Sequence, residues 1–197
     1  MWKSPVVALL SLATALSGCA SLNAVESDVS TYSQWPAERK PATYAFERLP
    51  SQQARPQEQS QLEATARPAL EAAGFQEAAD AKDADVTVQV GVRVARTDRL
   101  PYDDAFWWRG GFYHSRFGRP FVSSNFSLSY DSPRYDREVA VLMRDRQTSQ
   151  PLYEAHASSD GLASGGDRLM DAMFRAAMKD FPHNGINPRR VSVPLPG

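Results

Sequence analysis

The sequence has little that would indicate a metal site, a nucleic-acid binder or a membrane-spanning helix. One cysteine and three histidines occur in 197 residues, so an internal disulfide is excluded and no Cys/His set has metal-ligand spacing. The 22 basic and 23 acidic residues give a net charge of -1, whereas a nucleic-acid binder needs a basic excess to contact phosphates. The hydrophobic content of 42% and the charged content of 23% are typical of one globular domain.

The N-terminus has the pattern of a secretion signal. Lys3 precedes the apolar residues 6–16, and this run is too short to span a bilayer, which takes about 20 apolar residues. It is instead typical of a signal-peptide core. We therefore expect a signal peptide over residues 1–18.

The residues that close this signal are similar to the lipobox of bacterial lipoproteins at all four positions: Leu16, Ser17, Gly18 and Cys19. Small residues before the cysteine admit a peptidase, and the Cys19 thiol would take a diacylglyceryl group. A buried free cysteine, or an ordinary signal cleavage nearby, is the alternative. Two or three acyl chains would give a stable membrane anchor.

The resemblance implies a lipidated tether over residues 19–25 and a covalent lipid on Cys19 in place of any cofactor. Ala20 follows the cysteine, and lipoproteins that lack aspartate at this position are generally sorted to the outer membrane. We therefore expect a lipid-anchored protein of the outer membrane that faces the periplasm.

Alternating hydrophobic residues predict a sheet with one packed and one polar face. The clearest strand is 84–94, where five valines point to one side. The rows Val139, Val141, Met143 and Tyr153, Ala155, Ala157 flank a turn at 147–150 and predict a hairpin. Further strands are expected in segments 26–33, 43–48 and 126–130.

Two helices complete the predicted fold. One covers residues 62–73 before Gly74, and the other runs from about 167 to 180 before Pro182. Residues 51–61 are rich in Gln, Ser and Pro, which favours an exposed loop. The prediction is an α+β domain over residues 26–182, with a single antiparallel β-sheet of about 5–6 strands, two helices on one face and an extended surface tail over 183–197.

Short motifs recur in a fixed order along the chain. They are Asp28-Val29 with Tyr32, residues 43–46, Ala73-Gly74-Phe75, Ala84-Asp85-Val86, the hairpin 140–158 and Phe181-Pro182. This order resembles a family of bacterial envelope lipoproteins known as domain-of-unknown-function family 4136. The chain departs from the family pattern at Gln150 and Tyr153, where Lys and Trp are usual. The resemblance implies the fold and an envelope location, but no activity, cofactor or catalytic residue.

The most unusual segment is 106–121, with seven aromatics, three arginines and three glycines in sixteen residues. Arginine and aromatic side chains together form binding hot spots, and they also suit sugar faces or a headgroup zone. The alternative is a loop that covers the open face of the sheet. The candidate contact residues are Phe106, Trp107, Trp108, Arg109, Phe112, Tyr113, His114, Arg116 and Phe117.

Residues capable of catalysis are sparse. His156 lies near Ser158, Ser159 and Asp160, but no nucleophile-elbow sequence is present and His156 shares a strand face with Glu154. Gly165-Gly166-Asp167 could cradle an anion at a helix start, although a plain helix start explains it.

We therefore expect a non-catalytic binding or assembly module. Its expected partners are the membrane, through the lipid, and an envelope protein or glycan, but no nucleic acid. A small envelope hydrolase and a small-ligand carrier remain alternatives.

Overall fold

The computed structural model describes residues 23–97, 112–114, 120–122 and 134–196. The lipobox, with Cys19, lies outside the described residues, and so do the predicted strand at 126–130 and most of segment 106–121. Within that segment only the backbone of two short strands is described.

The described chain forms nine strands and three α-helices. The strands are β1 (Ala24–Ser33), β2 (Thr43–Phe46), β3 (Gln76–Glu77), β4 (Val86–Thr97), β5 (Phe112–His114), β6 (Pro120–Val122), β7 (Arg134–Asp145), β8 (Pro151–Gly161) and β9 (Arg189–Pro194). The helices are α1 (Pro50–Gln53), α2 (Pro56–Ala72) and α3 (Asp167–Ala177), with a 3₁₀ turn at Ala81–Asp83. Seven strands form one sheet in the order β3-β2-β4-β7-β8-β1-β9, while β5 and β6 pair separately.

The alternation in the central strands is confirmed. Val88 in β4, Val139 in β7 and Ala155 in β8 are fully buried, and β7 and β8 form the predicted hairpin. Val92 and Val94 continue the valine row of β4 but are each 44% exposed. The packed face of the sheet therefore ends before β4 does.

Helices α2 and α3 cover that packed face. They contribute small side chains, which allow close approach to the sheet: Ala66, Ala69, Ala172, Ala176 and Ala177 are all at most 2% exposed. Beside them, the rings of Trp35 and Phe75 pack against Phe181, with centroids 4.9 and 5.1 Å from its ring. None of the described helices combines the length and the apolar character needed to cross a bilayer.

The predicted fold class is correct in outline and wrong in detail. The main sheet is mixed, because β2 pairs in parallel with β3 and with β4. It has seven strands rather than 5–6, and a third, four-residue helix precedes α2. The physical reason is the connection from β2 to β4: helical segments return the chain to the starting end of the sheet, which makes the next strand parallel.

Two segments differ from prediction. Residues 51–61 fall largely in α1 and the first turns of α2, where Pro50 and Pro56 occupy first helical positions that need no N–H donor. The segment 183–197, expected to be a surface tail, contains β9, which pairs with β1 and buries Val191 and Val193. The Val-Ser-Val alternation there is short and is bounded by prolines, which obscured it.

Candidate functional site

One end of the sheet gathers the termini of four strands. Thr97 at the end of β4 pairs with Arg134 at the start of β7, and Tyr135 pairs with Gly161 at the end of β8. Because β1 is antiparallel to β8, Ala24 begins β1 at this same end. We call it the proximal end of the sheet.

At the proximal end the sheet splits between β1 and β8. Their pairing begins at Asp28 opposite Ser158, while residues 24–27 of β1 pair with β9 and residues 159–161 of β8 pair with β7. The split leaves an open cleft of about 440 Å³. Its lining includes the apolar side chains of Val25, Leu169 and Leu195, together with two serines, three arginines and the carboxylates of Glu26, Asp28 and Asp160.

Arg137 lines this cleft and is only 4% exposed. It occupies the inward row of β7, two residues before Val139, so its side chain enters the packed face of the sheet. Its Nη1 donates to the Ala163 carbonyl at 2.9 Å and its Nε lies 3.4 Å from the Ser159 carbonyl oxygen. Burial lowers the pKa of Arg137, opposed by the more distant carboxylates of Asp160 and Asp136.

The other arginines of the cleft are exposed and paired. Arg134 donates to Asp160 and lowers the pKa of that carboxyl. Arg190 lies 3.2 Å from an Asp28 oxygen and 4.0 Å from a Glu26 oxygen. Within the described chain, by contrast, no carboxylate oxygen lies within ion-pair distance of Arg137.

The residue facing the Arg137 head is a glycine. A Cβ placed on Gly161 would lie 2.8 Å from Arg137 Nη2, so the flexible end of the arginine side chain would have to move to admit it. The missing side chain thus leaves space for this guanidinium nitrogen at the end of β8.

His156 lies on the opposite, helix-free face of the sheet between two carboxylates. Its Nδ1 is 3.1 Å from Glu138 Oε1 and its Nε2 is 2.8 Å from Glu154 Oε1. Partial burial lowers the pKa of His156, but the hydrogen bonds to Glu154 and Glu138 outweigh it and raise the pKa overall. Because a carboxylate lies next to each ring nitrogen, neither nitrogen is left to accept a proton from a serine hydroxyl.

The sequence-predicted site residues are only partly placed. The Glu154–His156 proximity is confirmed. Among the candidate contact residues, only the backbone of Phe112, Tyr113 and His114 is described, as β5. Sequence reasoning missed Arg137, although one signal was present: a charged residue at an inward position of an otherwise apolar alternating row.

The donor types that metals require are scattered in the described part of the chain. No group of three His, Cys, Asp or Glu side chains among the described residues is arranged to hold a metal ion.

Fold and site together define a class. It is a mixed α/β domain whose main sheet has one helix-covered face, one polar face and, at one end, a cleft lined by the buried Arg137. The chain matches the family described as Domain of unknown function (DUF4136) over residues 28–183. It therefore belongs to that family. The match ends in the segment after α3, so β9 lies beyond it.

Solved structures give further similarities. A PDZ domain protein from Parabacteroides distasonis is 14% identical with a TM-score of 0.51, over 93% of this chain and 42% of that protein. This likeness concerns the fold alone, and the chain spans less than half of that protein's length. No curated protein sequence matches the chain.

Two smaller proteins match with lower TM-scores. PelC from Paraburkholderia phytofirmans, solved as a dodecamer, is 14% identical over 77% of this chain and 94% of that one, with a TM-score of 0.35. A DUF4136 family protein from Bacteroides thetaiotaomicron is 16% identical over 77% and 92% of the two chains, with a TM-score of 0.27.

Proposed function

We propose that this protein is a lipid-anchored, non-catalytic binding or assembly module on the periplasmic side of the outer membrane. The observation that carries the proposal is that three residues from different parts of the chain lie at the same end of the sheet. Ala24, Thr97 and Arg134 all lie at the proximal end of the sheet. Chain connectivity thus makes the tether and the 98–133 connection, which contains the aromatic segment 106–121, leave the sheet at the same end.

Chain length sets how far that end is from the anchor. Ala24 follows Cys19 by five residues, which span at most about 18 Å when fully extended. A lipid on Cys19 would therefore hold the proximal end close to the membrane surface. The aromatic and arginine side chains of segment 106–121 would act there, where rings and guanidinium groups suit both headgroups and glycans.

Tethering supplies the mechanism. Confinement to a surface raises the effective concentration of the module near envelope partners, so weak contacts are sufficient. The hydrolase alternative is disfavoured at His156, because a carboxylate lies next to each of its ring nitrogens. The carrier alternative is disfavoured by the small, buried side chains that fill the contact between helices and sheet.

The anchor is tested by replacing Cys19 with serine. We expect the wild-type protein to fractionate with outer membranes and its first mature residue to carry a diacylglyceryl group by mass spectrometry. Cys19→Ser cannot take the lipid, and we expect it to keep residues 1–18, because the lipoprotein peptidase cleaves before a lipidated cysteine; it should be absent from the outer-membrane fraction. A serine variant that is cleaved before residue 19 and fractionates with outer membranes like the wild type would contradict the lipoprotein assignment.

The contact surface is tested with the double variant Trp107→Ala, Trp108→Ala. We expect loss of partner contact with an unchanged unfolding midpoint, because the proposed role of the two rings is binding. A double variant that unfolds would instead assign these rings to the core. A matched control is Tyr32→Ala, which removes a ring that is 58% exposed in β1 and should leave partner contact intact.

A further inference from the structure

We propose that the cleft between β1 and β8 is an oxyanion-binding site in which Arg137 binds a phosphate group, either of a lipid headgroup or of a free phosphate compound. This inference does not depend on the lipid anchor or on segment 106–121. It is carried by one buried cation and by the open space beside it.

No described carboxylate forms an ion pair with Arg137, although Asp160 and Asp136 lie near enough to favour its charged form. Its two hydrogen-bond acceptors, the carbonyls of Ser159 and Ala163, carry no net charge. The carboxylates of the cleft pair with Arg134 and Arg190 instead. A buried ion without a counter-ion is costly, and proteins normally pair such groups. An anion that enters the cleft would supply the missing charge.

The N–H donors of Arg137 also favour an anionic ligand. A guanidinium group carries five N–H donors, and no described acceptor hydrogen-bonds to Nη2 of Arg137. The absence of a side chain at Gly161 allows this nitrogen to lie against the end of β8. Ser159, which pairs with Arg137 across β7 and β8, also lines the cleft, and its hydroxyl can donate to a phosphate oxygen; the Ser158 hydroxyl donates instead to the Asp28 carbonyl. Arginine suits phosphate in particular, because its planar fork matches two oxygens at once.

Three apolar side chains also line the cleft: Val25, Leu169 and Leu195. A glycerol or acyl portion next to a phosphate could pack there. The site thus accepts the phosphate of an amphiphile as well as a free phosphate, and the experiment must separate these two sources.

The test uses the purified full-length protein in a neutral maltoside detergent, titrated with sn-glycerol 3-phosphate at constant ionic strength set by chloride. The readouts are the thermal midpoint and the side-chain ¹⁵N resonances of arginine. We expect a saturable rise in the midpoint and a shift of the Arg137 resonance. In Arg137→Gln both should disappear, with binding weakened about tenfold or more, since hydrogen bonds to charged groups are among the stronger ones.

Two matched controls keep the proposal falsifiable. Arg134→Gln removes an exposed, paired arginine of the same cleft and should change the binding about twofold at most. Gly161→Ala keeps the charge of Arg137 but places a methyl group against Nη2, so it should weaken binding as well. Gly91→Ala, where an added Cβ meets no atom within 4 Å, should bind like the wild type.

The source of the phosphate is distinguished in phosphatidylcholine vesicles with or without phosphatidic acid. If the lipid headgroup is the ligand, phosphatidic acid vesicles shift the Arg137 resonance and soluble glycerol phosphate adds nothing further. If the ligand is soluble, the vesicles leave the titration unchanged. Both outcomes support the site.

The proposal is overturned if glycerol phosphate produces no more effect than chloride. It is equally overturned if Arg137→Gln and Gly161→Ala bind as the wild type does, or if Arg134→Gln alone abolishes binding. Loss of partner contact in the Trp107 and Trp108 double variant would not affect this result, so the two proposals fail independently.

Discussion

Replacing Arg48 with methionine is expected to destabilise the domain far more than the loss of an ordinary surface ion pair. The Arg48 guanidinium contacts both carboxylate oxygens of Glu63, with Nε 2.7 Å from Oε1 and Nη2 2.5 Å from Oε2. Glu63 lies on α2 and is 5% exposed. The pair thus fixes α2 to the segment that follows β2.

The loss of stability in Arg48→Met depends on the environment of Glu63, the partner that remains. Removing one member of a buried pair leaves an uncompensated charge and costs about 3–5 kcal/mol. The Arg48 side chain is 30% exposed, and Gln59 still donates to Glu63 at 3.2 Å, so part of the charge remains solvated. We therefore expect about 2–3 kcal/mol for Arg48→Met, or a fall of roughly 5–10 °C in Tm.

The assay is urea unfolding at neutral pH for Arg48→Met, Glu63→Gln and the double variant. Because Glu63→Gln removes the unpaired carboxylate charge that Arg48→Met leaves buried, the double variant should be more stable than Arg48→Met alone. The matched control is Arg55→Met, which breaks an ion pair with Glu58 in which both side chains are more than two-thirds exposed. Its cost should be below about 0.5 kcal/mol. Equal losses for Arg48→Met and Arg55→Met would refute the reasoning.

Two further predictions concern β8. Tyr153→Phe removes a buried hydroxyl that donates to the Ala177 carbonyl at 3.1 Å. It should therefore cost about 1–2 kcal/mol in urea unfolding, whereas Tyr32→Phe should cost almost nothing; similar values for the two would contradict the assigned contact. The raised pKa of His156 means that its ion pairs stabilise the fold fully below the unfolded pKa of about 6.5 and lose this effect as pH rises through the higher folded pKa. The stability advantage of wild type over His156→Gln should accordingly shrink as the pH rises above the unfolded pKa of about 6.5, and an advantage that grows with pH would contradict the raised pKa of His156.

Regular alternation and helix-stop residues made much of the fold predictable. The valine row of β4 and the β7–β8 hairpin have a strict period of two, and one buried face requires that period. Gly74 was correctly identified as the end of a helix, and its φ of 95° shows why glycine is suited to that position.

The parallel strand pairing and the cleft depended on tertiary context and could not be predicted from the sequence. Strand β2 was predicted from segment 43–48, but β3 has only two residues, too few for a period to show. The parallel pairing of both strands depends on the path of α1 and α2. The inward position of Arg137 was implied by alternation, but the split between β1 and β8 was not, because it arises where pairing partners change. A buried cation became a candidate site only once that cleft was visible.

The most direct test of the central claim is photocrosslinking in living cells from two positions. Trp107 belongs to the connection between Thr97 and Arg134, which both lie at the proximal end. Thr148 lies in the β7–β8 turn at the other end of the sheet. The two ends of the sheet are about 36 Å apart along the twelve-residue β7. The account predicts discrete protein or glycan adducts from Trp107 and none from Thr148. Adducts from Thr148 alone, or an equal pattern from both, would contradict a binding surface at the anchored end.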